Sequence, residues 1–61
     1  MIDLNELQAA VNQGRVDRDQ VRVVIRDGQI VDFLTSEDVP RAGETVRTIP
    51  LLEVLAEVFY N

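Results

Sequence analysis

Val21-Arg22-Val23-Val24-Ile25-Arg26-Asp27-Gly28-Gln29-Ile30-Val31-Asp32-Phe33-Leu34 is the stretch that decides the fold. Two runs rich in β-branched residues flank Asp27-Gly28. A two-residue type I′ loop needs positive φ at both central positions, and Asp-Gly supplies that at low cost. The stretch therefore predicts an antiparallel hairpin. With Asp27-Gly28 as the loop, regular pairing sets Arg26 opposite Gln29, Ile25 opposite Ile30, Val24 opposite Val31, Val23 opposite Asp32 and Arg22 opposite Phe33. Paired residues share a face. One face then carries Val21, Val23, Ile25, Ile30 and Leu34, interrupted by Asp32. The other carries Arg22, Val24, Arg26, Gln29, Val31 and Phe33. Asp32 on an apolar face conflicts with the pattern. Either it lies at a sheet edge beside an arginine, or the register is shifted by one residue.

Upstream, Asp3 is placed as a helix N-cap, with Glu6 in capping-box position and Ile2 and Leu7 at the two ends of a hydrophobic staple. Leu4, Leu7, Ala10 and Val11 recur at helical spacing, and Gly14 suits a left-handed C′ residue. A helix is expected over residues 4 to 13. Residues 15 to 20 read as a connection.

Downstream, residues 35 to 43 read as a loop, and residues 44 to 49 as a candidate short third strand. Two strands alone are marginal in water, which favours the third. The pattern leaves open which hairpin strand it joins. Pro50 then opens a last helix, where its missing N–H is not needed. Leu51-Leu52-Glu53-Val54-Leu55-Ala56-Glu57-Val58-Phe59-Tyr60 is apolar around most of its circumference. The expected core stripe is Leu51, Leu52, Leu55 and Phe59. That leaves Val54, Val58 and Tyr60 as candidate interface residues, unless the hairpin and first helix wrap the last helix completely. The fold class is α+β: an N-terminal helix, an antiparallel hairpin with a candidate third strand, and a C-terminal helix, all in one domain over residues 1–61.

Composition restricts function. A chain of 61 residues buries only about 60% of the surface its unfolded form exposes, so its core is marginal. It has no cysteine and no histidine. Disulfides are impossible, and zinc would lack its usual ligands. All six bases are arginine against eleven acids, for a net charge of −5. That balance opposes direct binding to nucleic acid and to anionic membranes. No apolar run is long enough to span a bilayer. Residues 1–6 lack the basic and apolar regions of a signal peptide, so a cytoplasmic setting is expected.

Catalysis is not expected. The usual nucleophile–base pairs need histidine, cysteine or lysine. Ser36 is the only serine, and it reads as a turn residue beside Glu37 and Asp38. Asp17 with Asp19, and Glu37 with Asp38, read as solvated loop charges, with no metal-binding spacing. No cofactor is expected.

Arg22 and Arg26 share a strand face with Val24, Val31 and Phe33. That face is a second candidate interface, with Arg22 stacked on Phe33 as one arrangement. The expected function is a small non-enzymatic protein-interaction module, acting as a homodimer or docking on a larger protein. Two alternatives stand beside it. One is an acidic inhibitor occluding a basic nucleic-acid-binding partner, its carboxylates standing in for phosphates. The other is an oligomer binding a small anionic ligand through Arg22 and Arg26.

Overall fold

A computed structural model describes residues 1–60. Its elements, in chain order, are α1 (Leu4–Asn12), β1 (Val21–Arg26), β2 (Gln29–Leu34), β3 (Thr45–Ile49) and α2 (Leu51–Phe59). The chain is an α+β domain in which, along the sequence, a three-stranded antiparallel sheet follows an N-terminal helix and precedes a C-terminal one.

Helix α1 begins at the expected Asp3 cap, without the reciprocal Glu6 bond of a full capping box, and ends just before Gly14. The Asp3 Oδ1 accepts the amides of Asn5 at 3.0 Å and Glu6 at 3.1 Å, satisfying two donors of the first turn. At the other end Gly14 takes φ +73°. The amides of Gly14 and Arg15 donate back to the carbonyls of Val11 and Ala10, the paired bonds of a Schellman cap. Ile2 and Leu7 are both buried, so the two ends of the staple reach the core.

Asp27 and Gly28 have φ values of 54° and 76°, which is the type I′ condition. Pairing starts as expected, with Arg26 opposite Gln29 and Ile25 opposite Ile30. It then slips: Val24 faces Asp32, Val23 faces Phe33 and Arg22 faces Leu34. Val31 is the extra residue of a β-bulge. This corrects the regular register and both face assignments built on it. The slip turns Phe33 toward the core and carries Asp32 to the opposite face, where its side chain is exposed. One Asp32 carboxylate oxygen accepts the Phe33 amide at 2.8 Å, so the bulge is capped by the residue it turns out. Burying a phenyl ring in place of an ionised carboxylate is the stronger preference by several kcal/mol on the order-of-magnitude scale.

The third strand joins β1, not β2, giving the order β2-β1-β3. Val21 faces Ile49 and Val23 faces Arg47. Strand β1 is thus central, and Val21 and Val23 are among the most deeply buried side chains. They form the core with Leu7, Ala10, Val16, Ile49 and Val54, while Phe33, Leu51 and Val58 pack against its rim.

The phase of α2 also departs from expectation. Its inward row is Leu51, Val54 and Val58; Val54 has 0% of its surface exposed. Leu52 is 80% exposed, Phe59 72% and Tyr60 90%, with Leu55 half-buried. The entry into the helix sets this rotation. Ile49 is buried immediately before Pro50, and the Leu51 amide donates to the Arg18 carbonyl at 2.7 Å. With position 51 anchored, positions 54 and 58 follow inward at helical spacing. An ion pair from the Arg47 Nη1 to the Glu57 Oε1, 3.3 Å, ties β3 to the flank of the helix.

Two outcomes check this arrangement. Nuclear Overhauser contacts between the strands should link Val23 with Phe33 and Val24 with Asp32. In urea denaturation, Val54→Ala should cost about 2 kcal/mol by removing buried methyl groups, whereas Leu52→Ala should change stability by less than about 0.5 kcal/mol.

Candidate interaction surfaces

The face of the sheet turned away from the core carries Arg22, Val24 and Arg26 from β1, set against Leu34, Asp32 and Gln29 of β2 and Thr48 and Val46 of β3. A solvated sheet face would leave Val24 open to water, yet Val24 is only 3% exposed. The segment from Thr35 to Glu44 returns along this face from the end of β2 to the start of β3. Hollows between it and the sheet are lined by Val24, Arg26, Val39 and Arg41.

A polar staple holds the near end of that segment. Thr35 is buried. Its amide and its hydroxyl both donate to the Asp38 Oδ2, at 2.8 and 2.9 Å, and the Asp38 amide returns a bond to the Thr35 carbonyl. The Arg22 guanidinium donates to the carbonyls of Thr35 and Asp38. The Ser36 amide donates to the Arg15 carbonyl at 2.9 Å, so Ser36 joins the loop to the end of the first helix region. The Thr-x-x-Asp spacing of residues 35 to 38 reproduces one half of a capping box, the Asp38 carboxylate accepting the Thr35 amide, while the Thr35 hydroxyl donates to that carboxylate instead of accepting the Asp38 amide; that spacing was the signal from which the staple could have been read. The Thr35 amide bond, reinforced by the Thr35 hydroxyl and by the charges of Arg15 and Arg22, holds the Asp38 carboxyl below its ordinary value near 3.8.

These placements separate the residues that sequence reasoning grouped together. Arg22 is half-buried and engaged with the loop, and it lies across from Leu34 rather than stacked on Phe33. Arg26 is exposed and lines a different hollow, with Arg41. The two arginines therefore do not converge within one chain. Phe33 packs against the core, Val24 lies under the return segment, and Val31 is half-buried at the bulge. On α2, Val54 is core and Val58 rim, leaving Tyr60 as the exposed residue of that expected set.

The surface that sequence reasoning missed is the outer row of α2. Leu52, Leu55 and Phe59 follow one another at helical spacing, with Ala56 and Tyr60 beside them. The only carboxylate on that border away from the sheet is Glu53, which is exposed; Glu57 is engaged by Arg47. Leu52, Ala56 and Phe59 on the outer side of α2, with Tyr60 at its C-cap and the half-buried Leu55 between, form an apolar surface of the kind that marks contact sites. No helix among the described residues is long and apolar enough to cross a membrane.

The staple has a pH signature. Because the folded pKa of Asp38 is lowered, its contribution is present above the unfolded value near 3.8 and is lost as pH falls through the folded value. On acidification from about pH 5 to about pH 2, the Thr35 amide resonance should titrate with a midpoint below that of an ordinary aspartate. Asp38→Asn should abolish the titration while leaving the far end of the sheet unaltered.

No curated protein and no solved structure shows significant similarity to this chain. A family model described as Paratox matches residues 1–59, which contain both helices and the whole sheet, and the chain therefore belongs to the Paratox family.

Proposed function

We propose that this domain is a non-enzymatic protein-interaction module that docks on a larger protein, with the outer face of α2 as its principal contact surface. The observation that carries this reading is the exposure of Leu52, Phe59 and Tyr60 on a helix whose inner row already fills the core. Exposed apolar side chains in a contiguous row gain free energy when a partner removes them from water, roughly 25 cal/mol per Å². A non-catalytic role is supported by a sequence without histidine, cysteine or lysine.

A second reading has its own support. Ten of the eleven carboxylates make no ion pair among the described residues, since Arg47–Glu57 is the single bridge. The bulge also turns Asp32 outward on the face opposite the core. Such a surface suits an inhibitor that covers the basic, nucleic-acid-binding face of a partner. The small-anion alternative loses support, because Arg22 is engaged with the loop and separated from Arg26.

Affinity capture from the native host, followed by calorimetry with the purified partner, tests both. Leu52→Asp and Phe59→Ser alter exposed positions and should weaken partner binding at least tenfold, about 1.4 kcal/mol, without changing the fold. If binding instead survives those variants but falls with Asp32→Lys and with added salt, the hairpin face is the contact and the second reading holds.

A further inference from the structure

The chemistry of the α2 face specifies its occupant more closely than a generic protein surface. We propose that it receives an amphipathic helix of the partner, whose apolar stripe is bordered by arginine or lysine. This rests on the docking reading above and adds the identity of what docks.

The shape favours a helix. Leu52 and Phe59 stand almost two turns apart on one row, with the half-buried Leu55 between them. Ala56 leaves a low point beside that row, where the ridge of a second helix can approach. Nine residues make an element about 13 Å long, which matches two to three turns of a facing helix at anchor spacings of i, i+3 or i+4, and i+7.

Charge selects the border. Every charged residue on α2 is a carboxylate, and there is no base in its last turn. Glu57 is held by Arg47, whereas Glu53 is exposed with no ion pair. Arg18 and Asp19 flank Leu52 at the N-terminal end and offset one another. A facing helix bordered by bases would meet Glu53 and the C-terminal end of the α2 dipole, whose last turn carries no base, and both favour positive charge.

The same facts weigh against a second copy of this chain. Each copy carries a net charge of −5, and face-to-face pairing would bring two Glu53 carboxylates to one apolar seam without a base for either.

The test uses the full chain and two synthetic helical peptides of identical leucine stripe. One is bordered by lysine and arginine, the other by glutamate. Fluorescence anisotropy reads affinity, and amide shifts locate the contact. The basic-bordered peptide should bind at least tenfold tighter, about 1.4 kcal/mol, and shift resonances of residues 51–60. Glu53→Lys should erase most of that preference, and Leu52→Asp should abolish binding of both peptides while circular dichroism and thermal melting remain unchanged. Equal affinity for the two peptides, shifts confined to the hairpin face, or a dimer in sedimentation equilibrium would each overturn the proposal. The docking reading fails separately: it falls if Leu52→Asp and Phe59→Ser leave capture of the host partner unchanged, whatever the peptides do.

Discussion

Asp32 and Phe33 cannot both follow the regular pairing that starts at the Asp27–Gly28 turn, and the bulge at Val31 is how the chain resolves this. Val23 is central in the sheet and fully buried, so the residue opposite it enters the core. A carboxylate there would need a partner that the apolar neighbours do not supply; a phenyl ring needs none. The extra residue costs one irregular step of the ladder and sends Asp32 outward, where its own carboxylate caps the Phe33 amide. The rest of the sheet follows from that step. It sets Leu34 across from Arg22, which brings Thr35 within reach of the guanidinium, which in turn anchors the segment that returns over Val24 to β3.

That anchoring matters because the domain is small. The return segment contributes little apolar burial of its own, as Val39 and Pro40 are exposed. Its order comes from polar contacts whose donors and acceptors converge on a few atoms: Asp38 Oδ2 takes two bonds from Thr35, and one Arg22 nitrogen serves two carbonyls. Arg22 is therefore spent on architecture. An arginine that satisfies backbone carbonyls across 13 and 16 residues of sequence positions a loop, which is a different task from recognising a free anion.

The parts of the fold legible in the sequence are those governed by neighbours along the chain. Asp3, Gly14, Asp27 with Gly28, and Pro50 each act within about four residues, and each marks an element boundary within a residue or so. What local reasoning does not reach is the choice among equivalent apolar faces. Asp32 flagged a register conflict, but resolving it required knowing that β1 is the central strand. On α2 nearly every phase of the helix is apolar, so periodicity could not say whether Leu52 or Val54 points inward. The anchor that decides it, the Leu51 amide on the Arg18 carbonyl, joins residues far apart in sequence.

The rotation of α2 carries the functional argument. Had Leu52, Leu55 and Phe59 turned inward, the larger side chains would fill the core and the surface would show mainly valines. The opposite phase puts the compact Val54 against the sheet and leaves the larger Leu52, Phe59 and Tyr60 in water. For a domain with so little interior, leaving its larger apolar side chains outside is unfavourable for the isolated chain. A partner surface that covered them would offset that cost. The same short helix carries no base and exposes Glu53 on a chain of net charge −5, so a partner surface that covered it would gain most by being apolar at its centre and basic at its margin.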